Sequence, residues 1–230
     1  DTLQIKGDNK PRVLAFDAAR SNDAFAICAG YPAHIDDLSF LESVEFAARS
    51  IDHPLAAHTK EMQRELDAFK VVAKPVIDLI IRVKPFPNAP IDTSNMEEVI
   101  WKIAQAFPSL QFAHSDHFES TIASRLNQNG VASEIHFATN PRQMRWGVVL
   151  RKFTWENQLQ MLMDTVYIRE AEQLLKINNS KIDHPEAGSK DVYDVVALCS
   201  YYVCQLPSYN TGLNYSTVAD EDFSLDFMRL

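Results

Sequence analysis

Two aspartates stand at the start of an apolar helix that is predicted near the C-terminus. From Lys181 the chain runs Lys-Ile-Asp-His-Pro-Glu-Ala-Gly-Ser-Lys-Asp-Val-Tyr-Asp-Val-Val-Ala-Leu. Asp191 and Asp194 are three residues apart, so both side chains lie on one helical face. The positive end of the helix dipole favours carboxylates at this position. The same pattern also fits a helix that Ser189 caps, with Asp191 only complementing the dipole.

A third aspartate, Asp17, ends a short apolar run that predicts a buried strand. The run covers residues 12–16, and after a polar turn residues 24–29 predict the second strand of a hairpin. A carboxylate in a core strand is costly unless it is paired or binds a cation. Asp17 is therefore a candidate metal ligand.

A fourth aspartate, Asp116, follows another predicted strand. The apolar run that begins at Leu110 ends at Ser115, and a helix is predicted from Thr121 to the Asn129-Gly130 pair. Asp116 fits equally a helix cap and a metal ligand. One strand aspartate, one aspartate at a later strand end and one pair opening a late helix can meet at one edge of a sheet. Such carboxylate oxygens suit Mg²⁺ or Mn²⁺, and the arrangement resembles the ribonuclease H-like nucleases.

The order of these motifs is similar to that in the nuclease domain of the large terminase subunit of tailed bacteriophages. The most specific element is the His-Pro-x-x-Gly-Ser-Lys-Asp-x-x-Asp run that ends at Asp194, and the similarity extends from Arg12 to Cys204. It implies an α/β, ribonuclease H-like mixed sheet flanked by helices. It also implies a metal-dependent endonuclease of the host cytoplasm that cuts concatemeric duplex DNA when packaging starts and finishes.

The resemblance also implies roles for the acids. Asp17 is expected to bridge two divalent cations, with Asp116 completing one site and Asp191 or Asp194 the other. Asp194 is favoured because an apolar stretch follows it directly. Such a pair of ions activates water and stabilises the leaving oxygen during phosphodiester hydrolysis.

Two features depart from the family pattern. The segment between residues 31 and 74 is longer than usual, and His117 stands where the family more often has glycine after the aspartate. The insertion leaves the local architecture of this segment open. The metal role expected of Asp116 does not depend on residue 117.

Length and composition predict one folded domain, since 46% of the residues are hydrophobic. Residues 1–11 are expected to be a linker remnant from a missing ATPase domain, and residues 12–206 the nuclease domain with an insertion near 32–74. Residues 207–230 are expected to form an acidic tail. The sequence contains no Gly-x-x-x-x-Gly-Lys-Ser/Thr loop, so ATP hydrolysis and DNA translocation are not expected of it. The family implies an ATPase domain, a small terminase subunit and a portal as partners.

The formal net charge of −9 predicts weak DNA affinity, because DNA-binding proteins are expected to be basic at least in patches. Five basic residues are candidate phosphate contacts, four around Trp146 and one beside the late aspartates. They are Arg142, Arg145, Arg151, Lys152 and Lys190. The same residues also fit solvated helix charges.

The histidines and cysteines predict no further metal site. The seven histidines show neither a paired i, i+4 spacing nor Cys-x-x-Cys partners. His114 and His117 flank Asp116, and both fit exposed turn positions better than phosphate contacts. The three cysteines lie in apolar surroundings and are expected to be buried, reduced thiols. No apolar run approaches the ~20 residues that cross a bilayer, so no membrane partner is expected.

Periodicity predicts the remaining elements. Strands are expected near 12–19, 24–31, 75–84, 110–115 and 131–137, and helices near 59–72, 94–106, 117–128, 142–152, 155–176 and 190–205. The first three strands fit antiparallel pairing, and the later ones fit parallel addition through a crossover helix.

Two other functions fit the same residues. Another ribonuclease H-like enzyme, such as a resolvase or transposase, would use these acids on branched or terminal DNA. A non-catalytic docking module would use them as helix caps and bind a packaging partner through its acidic surface. Only the second alternative predicts that no divalent cation binds.

Overall fold

A computed structural model of the chain describes residues 3–6, 8–17, 24–51, 60–86, 89, 91–115, 120–177, 181–185, 188–207 and 222–225. The strands are β1 (Leu3–Lys6), β2 (Arg12–Asp17), β3 (Phe25–Ala33), β4 (Lys74–Val83), β5 (Leu110–Ser115), β6 (Ser133–Ile135), β7 (Gln160–Met161), β8 (Leu175–Ile177), β9 (Lys181–Asp183) and β10 (Asp222–Leu225). The helices are α1 (Leu38–Arg49), α2 (Lys60–Ala68), α3 (Thr93–Ala106), α4 (Ser120–Gln128), α5 (Asn140–Trp155), α6 (Thr165–Gln173) and α7 (Asp191–Val203).

A mixed sheet of six strands forms the centre of the molecule, in the order β6-β5-β2-β3-β4-β7. Strands β2, β3 and β4 pair antiparallel, whereas β5 pairs parallel with β2 and β6 parallel with β5. The chain passes from β4 to β5 through α3. The predicted pairing and the predicted mixed sheet flanked by helices are confirmed.

The alternation of side chains along β2 separates two apolar cores. Val13 and Ala15 pack with residues of α1, α5 and α7, whereas Leu14 and Phe16 pack with residues of α3 and α4. By the same alternation Asp17 lies on the α7 face of the sheet. The strand therefore delivers this carboxylate towards the late helix that carries the other two.

Helix α7 is buried along almost its whole length, which agrees with its apolar sequence. The Sγ atom of Cys199 donates to the carbonyl of Val13 at 3.6 Å. Beyond the end of the helix, the carbonyl of Cys204 accepts from the backbone N–H of Val72 at 2.8 Å. All three cysteines are free and buried, as predicted.

The single helix predicted over residues 155–176 is wrong. Helix α5 ends at Trp155, and Asn157 takes a left-handed φ of 54° that a helix does not continue. Strand β7 then pairs with β4, and Asp164 starts α6 by accepting from the backbone N–H of Tyr167 at 2.7 Å. One continuous amphipathic helix would pack Leu162 and Met163 on the sheet, but both side chains are exposed.

The longer segment between β3 and β4 contains two helices. The carboxylate of Asp37 begins α1 by accepting from the backbone N–H of Phe40 at 3.0 Å. The buried side of α1 comprises Phe40, Leu41, Val44 and Ala48. The sequence leaves the local architecture of the segment between residues 31 and 74 open, and the structure places α1 of this segment against the core.

Two small sheets lie outside the central one. Strands β1 and β10 pair antiparallel within the segments predicted as linker remnant and acidic tail, and β8 and β9 form a hairpin shortly before α7. The domain division at residues 11 and 206 stays a prediction. No helix in the described ranges has the length and apolarity needed to cross a membrane.

Strand β3 packs closely against its neighbours at Gly30, and a substitution there tests this packing. A Cβ atom there would lie 2.7 Å from the carbonyl oxygen of Val76, 2.8 Å from Cδ1 of Ile77 and 3.4 Å from Sγ of Cys199. Because this space is filled from two sides, Gly30→Ala is expected to lower the free energy of unfolding by about 1–3 kcal/mol. Urea denaturation measures this change, and a variant as stable as the wild type would contradict the packing described.

Candidate metal centre at the start of helix α7

Three of the predicted acids meet where β2 ends and α7 begins. Asp17 is the last residue of β2, on the face that α7 covers. The backbone N–H of Ala24, just before β3, donates to Oδ2 of Asp191 at 3.2 Å. The charges of Asp17 and Asp191 both act on Asp194 and contribute to raising its pKa. The fold therefore brings Asp17, Asp191 and Asp194 into one electrostatic environment.

The carboxylate of Asp194 is buried, and the ammonium group of Lys190 lies close to it. Burial raises the pKa of Asp194 to about 6, the Lys190 ammonium opposes this change, and the charges of Asp17 and Asp191 add to it. Nζ of Lys190 lies 2.8 Å from Oδ2 of Asp194, and Nε2 of Gln143 donates to the same oxygen at 3.4 Å. Burial thus outweighs the stabilisation that Lys190 gives to the charged form of Asp194.

Asp191 is held by two partners on the same carboxylate oxygen. Besides the bond from Ala24, Nη2 of Arg82 lies 3.3 Å from its Oδ2. Burial raises the pKa of Asp191, while the donors on Ala24 and Arg82 oppose this shift. Two directional partners therefore hold one oxygen of this carboxylate in place.

A buried glutamate from α6 supports the start of α7. The backbone N–H of Tyr193 donates to Oε2 of Glu170 at 2.9 Å, and the hydroxyl of Ser189 donates to Oε1 at 2.6 Å. Arg82 donates to Ser189 Oγ at 3.0 Å. Ser189 thus contacts Glu170 and Arg82 and does not cap α7; the N-cap residue is Lys190, whose side chain makes no capping bond. Sequence reasoning missed both Arg82, which is a charge within the largely apolar strand β4, and Glu170, which is one of several charges in α6.

Asp116 lies outside the described residues. Strand β5 ends at Ser115, which is in register with Phe16 of β2. The last described residue before Asp116 therefore lies beside the strand end that carries Asp17. His117 also lies outside the described residues.

His114 is not the exposed turn residue that was expected. It is the fifth residue of β5, is 4% exposed, and stacks on the ring of Tyr202 with a centroid distance of 3.7 Å. Burial holds the pKa of His114 well below its usual value, and the nearby His136 acts in the same direction. Its side chain belongs to the interface with α7, which explains why it cannot serve as an exposed turn residue.

The donor set at the start of α7 fits a hard divalent cation. Carboxylate oxygens are the ligands that Mg²⁺ and Mn²⁺ prefer, and the mutual repulsion of these acids is the condition that a cation relieves. Within the described part of the chain, only His114, Glu134 and His136 bring three ligand atoms within 4.8 Å of one another. The three aspartates are less tightly grouped than this.

The five predicted basic residues fall into two groups. Arg142 and Arg145 are buried and form ion pairs with Glu65 of α2. Buried, paired guanidinium groups are poor phosphate ligands, because reaching DNA would break these pairs. Arg151 lies exposed over the ring of Trp155, Lys152 is half-buried on α5, and Lys190 pairs with Asp194.

A polar cavity of about 480 Å³ opens beside Asp191. Three cationic side chains line it together with two acidic ones. They are Arg82, Lys84, Arg169, Glu170 and Asp191. The cavity is therefore a mixed-charge recess next to the carboxylates, and the two cations Lys84 and Arg169 were not singled out from the sequence.

The raised pKa of Asp194 predicts a pH-dependent stability. Its folded pKa of about 6 exceeds the value of about 3.9 expected in the unfolded chain, so the fold favours the neutral acid. Stability without metal should therefore fall as pH rises from about 4 to about 6, by roughly 2–3 kcal/mol. Urea denaturation with chelator measures this change: the stability of Asp194→Asn relative to the wild type should rise as the pH is raised from 4.5 to 7.5.

Asp8 supplies a matched control for this measurement. Burial of Asp8 is outweighed by Arg12, which holds the pKa of this carboxyl below its usual value. Asp8→Asn should therefore be less stable than the wild type by an amount that hardly changes between pH 4.5 and 7.5, because this carboxyl is ionised in both the folded and the unfolded chain there. If the stability of both variants relative to the wild type changed in the same way with pH, the electrostatics assigned to Asp194 would be wrong.

Comparison with known proteins places the fold. No protein-family model and no curated protein matches the chain. Solved structures do match. The large terminase of bacteriophage HK97 is 14% identical with a TM-score of 0.52, over 87% of this chain and 40% of that one. The large terminase nuclease domain of Thermus phage P74-26 is 9% identical with a TM-score of 0.51, over 90% of each chain.

A third solved structure, the large terminase of a thermophilic bacteriophage, is 7% identical with a TM-score of 0.52, over 86% of this chain and 40% of that one. The chain thus spans 40% of the length of this protein and of the HK97 terminase. At these identities the likeness concerns the fold. The chain has the ribonuclease H-like fold of phage large-terminase nuclease domains, as its motifs predicted.

Proposed function

We propose that this chain is the nuclease domain of a viral DNA-packaging terminase, which cuts concatemeric double-stranded DNA by metal-dependent hydrolysis. The observation that carries the proposal is the meeting of Asp17, Asp191 and Asp194 at the start of α7, within a fold that terminase nuclease domains share. Crowded carboxylates at a sheet edge suit divalent cations and phosphodiester chemistry.

Asp17 and Asp194 would hold two Mg²⁺ or Mn²⁺ ions, with Asp191 as a further carboxylate. Asp116, outside the described residues, is proposed as the remaining ligand from its sequence motif. When bound, such ions supply hydroxide near neutral pH and stabilise the charge on the leaving 3′ oxygen. Residues of the chain itself position these carboxylates.

That positioning comes from the contacts already described around α7. Lys190 keeps Asp194 available as a carboxylate by opposing the effect of burial. Arg82 fixes Asp191 and is linked through Ser189 to Glu170, which in turn holds the first turn of α7. A preorganised set of this kind needs little rearrangement when cations and substrate arrive.

DNA contacts are proposed for basic residues with accessible side chains. Lys84 and Arg169 line the cavity beside Asp191, and Lys190, Arg151 and Lys152 supply further positive charge. Phosphate contacts of this kind position a duplex without reading its sequence. The net charge of −9 makes the intrinsic affinity weak. An ATPase domain, a small terminase subunit and a portal are therefore proposed as partners that hold the substrate.

Asp17→Asn tests the metal-ligand role. Plasmid nicking in Mn²⁺ should fall by at least about 100-fold, the upper end of what the loss of an outer-shell partner costs a metal site. The thermal melting temperature without metal should be unchanged or higher, because one of the repelling carboxylates is removed. Nicking and melting with and without Mn²⁺ measure both effects.

Asp78→Asn is the matched control. Asp78 lies within β4, and its Oδ1 accepts from Nη1 of buried Arg12 at 2.5 Å. Its loss should cost about 1–3 kcal/mol of stability while leaving the activity of the folded protein unchanged. An Asp17→Asn variant that still nicks DNA, or that loses activity only through unfolding, would refute the ligand assignment.

The same assay separates the alternatives. A resolvase-type or transposase-type enzyme would cut branched or terminal substrates in preference to plain supercoiled duplex. A docking module would show no saturable Mn²⁺ binding and no nicking. Unselective nicking and linearisation of plasmid DNA supports the terminase proposal.

Salt dependence tests the proposed DNA contacts. If the wild-type chain holds DNA weakly through a few phosphate contacts, cleavage should need high enzyme concentration and fall steeply with added salt, because counterions compete for the phosphates. Lys84→Gln should reduce the slope of log affinity against log salt by about 1. Tight, salt-insensitive binding would contradict the weak electrostatic contact inferred here.

A further inference from the structure

A second group of metal-ligating side chains lies on β5 and β6. Nδ1 of His114 is 2.7 Å from Nε2 of His136, and Oε2 of Glu134 is 3.6 Å from the same Nε2. One ligand atom from each of the three residues falls within 4.8 Å of the other two. The group therefore has the size of a single coordination sphere.

Strand pairing explains why these three side chains converge. Strands β5 and β6 run parallel with His114 in register with Glu134, so the two side chains share one face of the sheet. His136 lies two residues after Glu134, on that same face, and its backbone N–H donates to the carbonyl of Ser115 at 2.7 Å. The arrangement is thus set by backbone pairing, which holds the ligands without help from an ion.

Tyr202 of α7 supports the outer side of this group. Its hydroxyl lies 3.0 Å from Nδ1 of His136, and its ring stacks on His114. When Nδ1–H of His136 donates to this hydroxyl, Nε2 carries the lone pair that faces His114 and Glu134. A hydrogen bond from the distal ring nitrogen is the usual support of a metal-bound histidine.

The burial of the group suits a bound ion with one accessible side. His114 and His136 are 4% and 9% exposed, whereas the side chain of Glu134 is 58% exposed. Buried imidazoles favour their neutral form, which is the form that ligates metals. Glu134 supplies a negative charge at the surface, where an ion would enter.

We propose that His114, Glu134 and His136 bind one divalent transition-metal ion, with Zn²⁺ as the best fit. Two imidazoles and a carboxylate suit zinc and its neighbours, whereas Mg²⁺ prefers oxygen ligands alone. Zn–N bonds of about 2.0–2.1 Å place tetrahedral nitrogen ligands about 3.3 Å apart. The two rings therefore need to separate by only about half an ångström.

This site is separate from the aspartates. Tyr202 is eight residues along α7 from Asp194, which corresponds to about 12 Å of helix. An ion bound there would link β5 and β6 and, through Tyr202, the C-terminal end of α7. Its role is to fix the strand that leads to Asp116, so it is a structural site by position.

Cobalt substitution tests the proposal on the whole chain. Chelator-treated protein is titrated with Co²⁺ in excess Mg²⁺, and the visible d–d absorption of protein-bound Co²⁺ is followed. One equivalent should bind, and Zn²⁺ should displace it and raise the melting temperature. Glu134→Gln should weaken Co²⁺ binding at least about tenfold, and His136→Gln, with folding checked by circular dichroism, should remove the absorption.

The controls separate this site from the proposed nuclease centre. Asp17→Asn should keep the Co²⁺ absorption, so failure of the nuclease proposal would leave this result unchanged. His34→Gln, at an exposed histidine whose Nε2 lies 2.6 Å from Asp36, should also keep it. A wild-type chain without the absorption, an affinity unchanged in Glu134→Gln, or an absorption that survives in His136→Gln overturns the proposal.

Discussion

The burial of charged groups at the start of α7 is the constraint on which the rest of the molecule depends. Asp191 and Asp194 lie in the first turn of a helix that is otherwise packed in apolar surroundings. The helix dipole favours them there, but burial raises the pKa of both. The helix can occupy this position because Arg82 and Lys190 offset part of that cost.

This compensation is incomplete. Arg82 contacts Asp191 and Glu170, and Lys190 contacts Asp194, yet burial and the charges of Asp17 and Asp191 still raise the pKa of Asp194. A structural salt-bridge cluster would be expected to balance its charges, because an unpaired buried charge is destabilising. An excess of negative charge at a sheet edge instead suits a divalent cation.

The positively charged residues have two separate roles. Arg142 and Arg145 serve the fold, since they anchor α2 to α5 through Glu65. Lys84 and Arg169 surround a polar cavity beside the acids. Two residues of the basic stretch thus form a buried structural feature, while Lys84, directly after β4, and Arg169 of α6 supply charge near the candidate site.

Local sequence determined the central elements and the candidate acids. About ten residues of sequence are enough to predict each central element, because side-chain burial repeats with the period of the strand or helix. This holds for the apolar runs that end at Asp17 and Ser115 and for the apolar helix that begins at Asp191. The antiparallel hairpin and the parallel addition of β5 follow from the same runs and their connections. The fold class itself is predicted by the resemblance of the motif order to terminase nuclease domains, and the structure and the solved terminases share it.

Only the tertiary structure decided which distant groups meet. Glu170 reaches the first turn of α7 because the chain breaks at Asn157 and restarts a helix at Thr165, where periodicity alone predicted one continuous helix. His114 and His136 have no metal-ligand spacing, yet parallel pairing of β5 with β6 places them side by side. Strand register, burial and ion pairing depend on residues that are far apart in the sequence, so a local sequence pattern does not predict them.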